Sequence, residues 1–259
     1  MQLTWLDGDQ NPVTKGIESI TQSMADGKRS NSIVKWTFTA QKEMNGKKMT
    51  CRSENAALKS PQNTTIKLEV KFPPDVKLVI ESHQRQDQSI MIGDDVHFRC
   101  DAYANPNQLI YKWFKNGEII PGDHTTKMVL HKVTKDMNDA LISCEATNSV
   151  GSTRTNHQLK VNYAPEFISP TDQIIGIELG SDVTLTCAVA GNPLPEITWL
   201  YEGSPNVLNN GKDLVIKNVN IEKVGKYICR ASVKGFPEIQ SSIYLYIKGL
   251  LICIGCILI

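Results

Sequence analysis

The chain has 259 residues, 41% of them hydrophobic and 21% charged. That is a globular composition with room for one large domain or two to three small ones, and it excludes intrinsic disorder. Lys and Arg total 28 against 27 Asp and Glu, no run of five like charges occurs, and a nucleic-acid binder's basic face is therefore missing.

The first segment opens with Leu3-Thr4-Trp5-Leu6, a strand-like run carrying a tryptophan, and Asp7-Gly8 supplies a turn after it. Further on, Met49-Thr50-Cys51-Arg52 reads as a strand carrying a cysteine. Asn63-Thr64-Thr65 follows a turn-like stretch with Pro61 and is the only N-glycosylation sequon, so Asn63 is the expected glycan site. Phe72-Pro73-Pro74 closes the segment.

The second segment completes what the first only begins. Val96, Phe98 and Cys100 alternate with His97 and Arg99, the period of a half-buried strand. Trp113 follows Cys100, Asn116-Gly117 marks a tight hairpin, and Cys144 lies 44 residues beyond Cys100. Tyr163-Ala164-Pro165 then closes this segment as Phe72-Pro73-Pro74 closed the first.

The third segment repeats the second. Val183, Leu185 and Cys187 alternate with Thr184 and Thr186, Trp199 follows, and Glu202-Gly203 is a weaker turn signal. Cys229 lies 42 residues beyond Cys187, with Tyr227 two residues before it. Cys…Trp…Cys at this spacing is the pattern of an immunoglobulin-type sandwich, in which one disulfide crosses two sheets about 10 Å apart and an indole fills the space beside it. The spacing predicts Cys100–Cys144 and Cys187–Cys229, each worth roughly 4 kcal/mol in the chain-entropy model. Tyr227 stands where a tyrosine corner belongs.

The expected fold class is therefore all-β: tandem immunoglobulin-like β-sandwiches over 1–72, 73–163 and 164–248, the first truncated, with a short apolar tail at 249–259. Trp5, Trp113 and Trp199 are the expected core tryptophans. The first segment starts just before its tryptophan, so Cys51 has no partner within it. A fragment or an incomplete gene model explains this; the alternative is a free thiol kept for an intermolecular bridge, which a strand-buried position opposes. Met1 is followed by no basic n-region and no apolar h-region, so a signal peptide is not expected in these residues. Ten apolar residues, Leu250–Ile259, would cover about 15 Å as a helix, too short to span a membrane. They read either as the start of a truncated transmembrane helix, with Cys253 and Cys256 as acylation candidates, or as an artefact of the chain end.

Sites of chemistry are not expected. The five histidines, His83, His97, His124, His131 and His157, are scattered without zinc-site spacing. Asp94, Asp95 and Asp101 read as a charged strand rim, since no D-x-D-x-D loop follows. No nucleophile elbow, phosphate loop or dinucleotide fingerprint occurs. The reading is not an enzyme, with no catalytic residues, no metal and no cofactor.

At this point a family resemblance is visible. Phe72-Pro73-Pro74-Asp75-Val76 resembles the start of a module in the irregular-chiasm cell-adhesion family, the Kirrel (neph) and Roughest-type receptors related to nephrin. Cys144-Glu145-Ala146-Thr147-Asn148-Ser149-Val150-Gly151 is similar to that family's F–G hairpin, and so is Gly180-Ser181-Asp182-Val183-Thr184-Leu185-Thr186-Cys187 to a strand leading into its disulfide. The resemblance covers residues 3–248 in register with domains two to four of a five-domain ectodomain. It implies a fragment of a plasma-membrane receptor, facing outward at cell junctions, that mediates adhesion by binding other immunoglobulin-superfamily surface proteins, homophilically or in a nephrin-like heterophilic way. These modules would serve mainly as spacer, with no nucleic acid and no small-molecule substrate. The alternative is a soluble secreted immunoglobulin-domain binding protein. Three departures from the family stand out: its first domain, which carries the trans-binding face, is absent here; after Lys248 the family continues into a fifth domain where this chain runs into Leu250–Ile259; and the corner tyrosine is replaced by Ile142 in the second segment and Met49 in the first.

Overall fold

The computed structural model describes residues 2–56, 58–81, 89–122, 125–168 and 170–249, together with the backbone of 253–254 and 257–258. Among the described residues every regular element is a β-strand apart from three 3-10 turns, Lys42–Met44, Lys135–Met137 and Ile221–Lys223. Alternation explains this: Val96, Phe98 and Cys100 are buried while His97 is exposed, and Leu185 and Cys187 are buried while Thr184 and Thr186 are exposed.

The chain gathers into two compact units. One comprises Met1–Val79, Arg99–Met128 and Ile142–His157; the other comprises Ile80–Phe98, Val129–Leu141 and Gln158–Ile259. Each contains one disulfide.

In the first unit, Gln2–Leu6 pairs antiparallel with Lys48–Glu54, which pairs in turn with Gln62–Lys67. Ile17–Ser23 and Ser30–Trp36 form a separate two-stranded hairpin. Ile110–Lys115 pairs with Glu118–Ile119 on one side and with Leu141–Thr147 on the other. The two-residue loop between the first pair has φ of 52° at Asn116 and 88° at Gly117. Positive φ at both central residues is the hairpin geometry that Asn-Gly favours.

The second unit holds a five-stranded sheet in the order Gln173–Ile177, Ile239–Ile247, Gly225–Ser232, Glu196–Tyr201, Val207–Asn210. Val183–Thr186 and Asp213–Ile216 form a two-stranded partner. Leu185, Cys187, Trp199, Leu214, Tyr227 and Leu245 are among the buried residues of one core cluster there. Burying side chains of this size is worth about 1.5–3 kcal/mol each, which is what holds so small a sandwich closed.

Trp5 and the unpaired Cys51 are both half-buried. The sheet that carries them has three strands, and the Trp5 ring lies 6.0 Å from that of Trp36. In the tail, residues 253–254 and 257–258 are extended and pair antiparallel; residues 250–252, 255, Cys256 and 259 lie outside the described residues. Among the described residues no helix is long and apolar enough to cross a membrane.

Candidate functional site

The disulfides stand at the centre of the geometry. Cys100 is bonded to Cys144 with Cα atoms 6.3 Å apart, and Cys187 to Cys229 with Cα atoms 6.4 Å apart. In each case the tryptophan lies directly across from the second cysteine on the adjacent strand: Trp113 opposite Cys144, Trp199 opposite Cys229. Trp5 opposite Cys51 repeats the register, and Cys51 is a free thiol. The indole N–H groups differ. Trp113 Nε1 donates to the Thr125 carbonyl at 3.1 Å and Trp5 Nε1 to the Val34 carbonyl at 3.2 Å. Trp199 Nε1 is buried with no hydrogen-bond acceptor among the described residues.

The polar residues singled out by the sequence do not converge. His97 and His157 are exposed on strands, His131 Nδ1 meets Asp95 Oδ2 at 2.9 Å, and His83 and His124 lie outside the described residues. That imidazole, with the Lys132 amide, holds the Asp95 carboxyl below its ordinary value. Asp94 accepts from the Met91 amide and Asp101 pairs with Arg99. These carboxylates are occupied by turns and ion pairs, and no group of three His, Cys, Asp or Glu residues with metal-binding geometry occurs among the described residues. Asn63 is exposed in the Gln62–Lys67 strand, opposite Arg52.

Two open clefts have volumes of about 380 Å³ each. One lies beside Trp36, Met44 and Met49, with Asp7, Asp9 and Lys47 at its edge. The other is apolar, bounded by Ile168, Val189, Leu194 and Ile197, with Leu194 85% exposed. Neither brings together a nucleophile, a base and an oxyanion donor, the minimum for acyl-transfer chemistry.

The segment boundaries carry structure that the sequence reading missed. Asn105 Nδ2 donates to Asn45 Oδ1 at 3.2 Å and to the Val70 carbonyl at 2.8 Å, while the Val70 amide donates to Asn45 Oδ1 at 3.0 Å. Further along, Asn192 Nδ2 donates to Asn138 Oδ1 at 3.1 Å and to the Val161 carbonyl at 2.7 Å, while the Val161 amide donates to Asn138 Oδ1 at 3.0 Å. Beside each ring lies an ion pair, Lys42 with Asp75 at 2.6 Å and Lys135 with Glu166 at 2.5 Å. These carboxylates, chiefly by hydrogen bonding, push both ammonium groups up in pKa. The signal was available: Met-Asn stands six residues before Cys51 and Cys144, and Asn-Pro begins five residues after Cys100 and Cys187.

Comparison with known proteins agrees with this architecture. Immunoglobulin-domain family models match residues 77–161 and 164–232, and a CD80-like C2-set immunoglobulin model matches residues 1–62. The chain is 33% identical to the Irregular chiasm C-roughest protein of Drosophila melanogaster over 96% of its own length and 35% of that protein's. It is 35% identical to the human Kin of IRRE-like protein 1 over 94% of its length and 31% of that protein's. It thus spans about a third of these relatives. Among solved structures, a Dpr11–DIP-gamma complex is similar in fold, with a TM-score of 0.51 at 19% identity, covering 67% of this chain and 98% of that one. A titin immunoglobulin tandem reaches 0.50 at 19% identity, covering 68% and 97%.

Proposed function

Because the chain belongs to the irregular-chiasm and Kin of IRRE-like family of the immunoglobulin superfamily, we propose that it is the middle of a cell-surface adhesion receptor. It is not an enzyme, and its work is binding and spacing. In this reading, residues 1–72, 73–163 and 164–248 are consecutive immunoglobulin modules, Cys100–Cys144 and Cys187–Cys229 are the bonds that hold the second and third, and Asn63 carries a glycan. The receptor stands on the outer face of the plasma membrane, at cell junctions. Its partners are other immunoglobulin-superfamily surface proteins, homophilic or nephrin-like, and these modules hold a recognition domain away from the membrane.

The observation that carries the proposal is the sequence similarity to two relatives along 96% and 94% of the chain. Two spaced cysteine pairs support an oxidising, extracellular setting. The test is an antibody raised against residues 73–248 and applied to unpermeabilised cells that express the gene. The expected result is labelling at cell–cell contacts and a reduced band larger than 28.8 kDa. Antigen found only in the medium would favour a secreted binding protein, and antigen found only after permeabilisation would overturn the proposal.

A further inference from the structure

The boundary between the second and third segments has no free linker. The strand Val161–Phe167 pairs in parallel with Ile90–Met91 through Val161 and Asn162, and antiparallel with Val189–Asn192 from Tyr163 onward. One continuous strand therefore serves the end of one sandwich and the start of the next. Beside it, Asn138, Val161 and Asn192 close a ring of three hydrogen bonds among chain segments far apart in sequence.

The boundary between the first and second segments is closed by the same ring, made of Asn45, Val70 and Asn105. We infer that these asparagine pairs are latches, one per junction, that lock each module to its neighbour in a fixed orientation. This deepens the spacer reading and rests on its division into modules.

The chemistry explains why asparagine is used. The first asparagine must offer an oxygen to two donors at once, and the second must supply both hydrogens of its amide. Aspartate in the second position would place a carboxylate against a carbonyl oxygen and another side-chain oxygen. All four asparagines are half-buried, so water competes weakly for these bonds. The flanking Lys–carboxylate pairs are exposed and salt-screened, and they add direction more than strength. The latch also needs its first asparagine at the C-cap of a 3-10 turn, where Asn45 and Asn138 both stand. The third module's turn, Ile221–Lys223, has Val224 there, which offers no side-chain acceptor. The latch residues thus recur at the two boundaries, and the third turn lacks the first of them.

The test uses the oxidised, isotope-labelled full chain in a dilute alignment medium. Residual dipolar couplings are collected separately for amides in 77–158 and in 170–247. A latched junction gives both sets one alignment tensor. Asn138→Ala and Asn192→Asp should each abolish the shared tensor while amide shifts inside the modules stay in place. Lys135→Gln should leave it largely shared. If the unsubstituted chain already shows two tensors, or if the two sets still share one in both asparagine variants, the latch is wrong. Should Asn192→Asp unfold the third module, Asn138→Ala and the unsubstituted chain still decide. The couplings report stiffness without reference to adhesion, so failure here is distinguishable from failure of the receptor reading.

Discussion

Tyr227 Oη donates a 2.8 Å hydrogen bond to the Lys223 carbonyl, four residues upstream. This bond pins the 3-10 turn Ile221–Lys223 against the Gly225–Ser232 strand that carries Cys229. Two residues before the corresponding cysteines, Ile142 and Met49 fill the same depth with apolar atoms only, at 0% and 2% exposure. The plug is common to the three segments, and the hydroxyl tether belongs to the third.

Tyr227→Phe keeps the plug and removes the tether. It should destabilise the third module by about 1 kcal/mol, the usual net worth of one such bond. Denaturant unfolding of the full chain, followed by Trp199 fluorescence, reads the loss.

The same hydroxyl gives a pH dependence. Burial pushes the Tyr227 phenol up from the ordinary value of 10.0. The folded state therefore prefers the neutral form, and the unfolded chain ionises first. Stability should be unaffected below about pH 9 and fall as pH rises through the ordinary tyrosine value toward the raised one. Thermal midpoints of the third module should show this fall, and Tyr227→Phe should make it shallower.

The tryptophans separate a satisfied from an unsatisfied indole. Trp113→Phe removes the bond to Thr125, whereas Trp199→Phe removes a buried donor that has no acceptor among the described residues. Both lose similar apolar volume. Trp113→Phe should therefore cost its module about 1 kcal/mol more than Trp199→Phe costs the other. Equal losses would mean that the Thr125 bond contributes nothing.

The double substitution Cys187→Ala with Cys229→Ala should cost the third module roughly 2–5 kcal/mol. The midpoint of the transition that depends on Cys100–Cys144 should stay where it is. Peptide mapping without reduction should recover the two native pairs and a free Cys51 thiol.

Asn63→Gln, in a secreted form of the chain made by a glycosylating host, should remove a single step of glycosidase-sensitive mass. Its exposed position on the Gln62–Lys67 strand leaves room for the glycan. An unchanged mass would show the sequon to be idle.

Much of the fold was legible in the sequence because its signals are local or periodic. Val96-Phe98-Cys100 and Val183-Leu185-Cys187 announce strands by alternation, and Asn116-Gly117 announces a turn by its tolerance of positive φ. The Trp–Cys register follows from the spacing of two strands that pair. The half-burial of Trp5 was not legible, since it depends on how much of the opposing face is covered. Nor were the junction rings. Each joins three residues separated by 23 to 60 positions, and asparagine in a loop ordinarily signals a turn. The repetition of Met-Asn and Asn-Pro at fixed distances from the cysteines was the one trace they left.

The spacer reading is tested most directly by bead clustering. On the spacer reading, which assigns recognition to a module outside these residues, beads coated with the oxidised chain should stay dispersed at densities that cluster beads bearing a complete family ectodomain. Joining that module in front of residue 1 should bring clustering back. Specific clustering by residues 1–259 alone, abolished by surface substitutions within 73–248, would contradict the account and place the binding face on these modules.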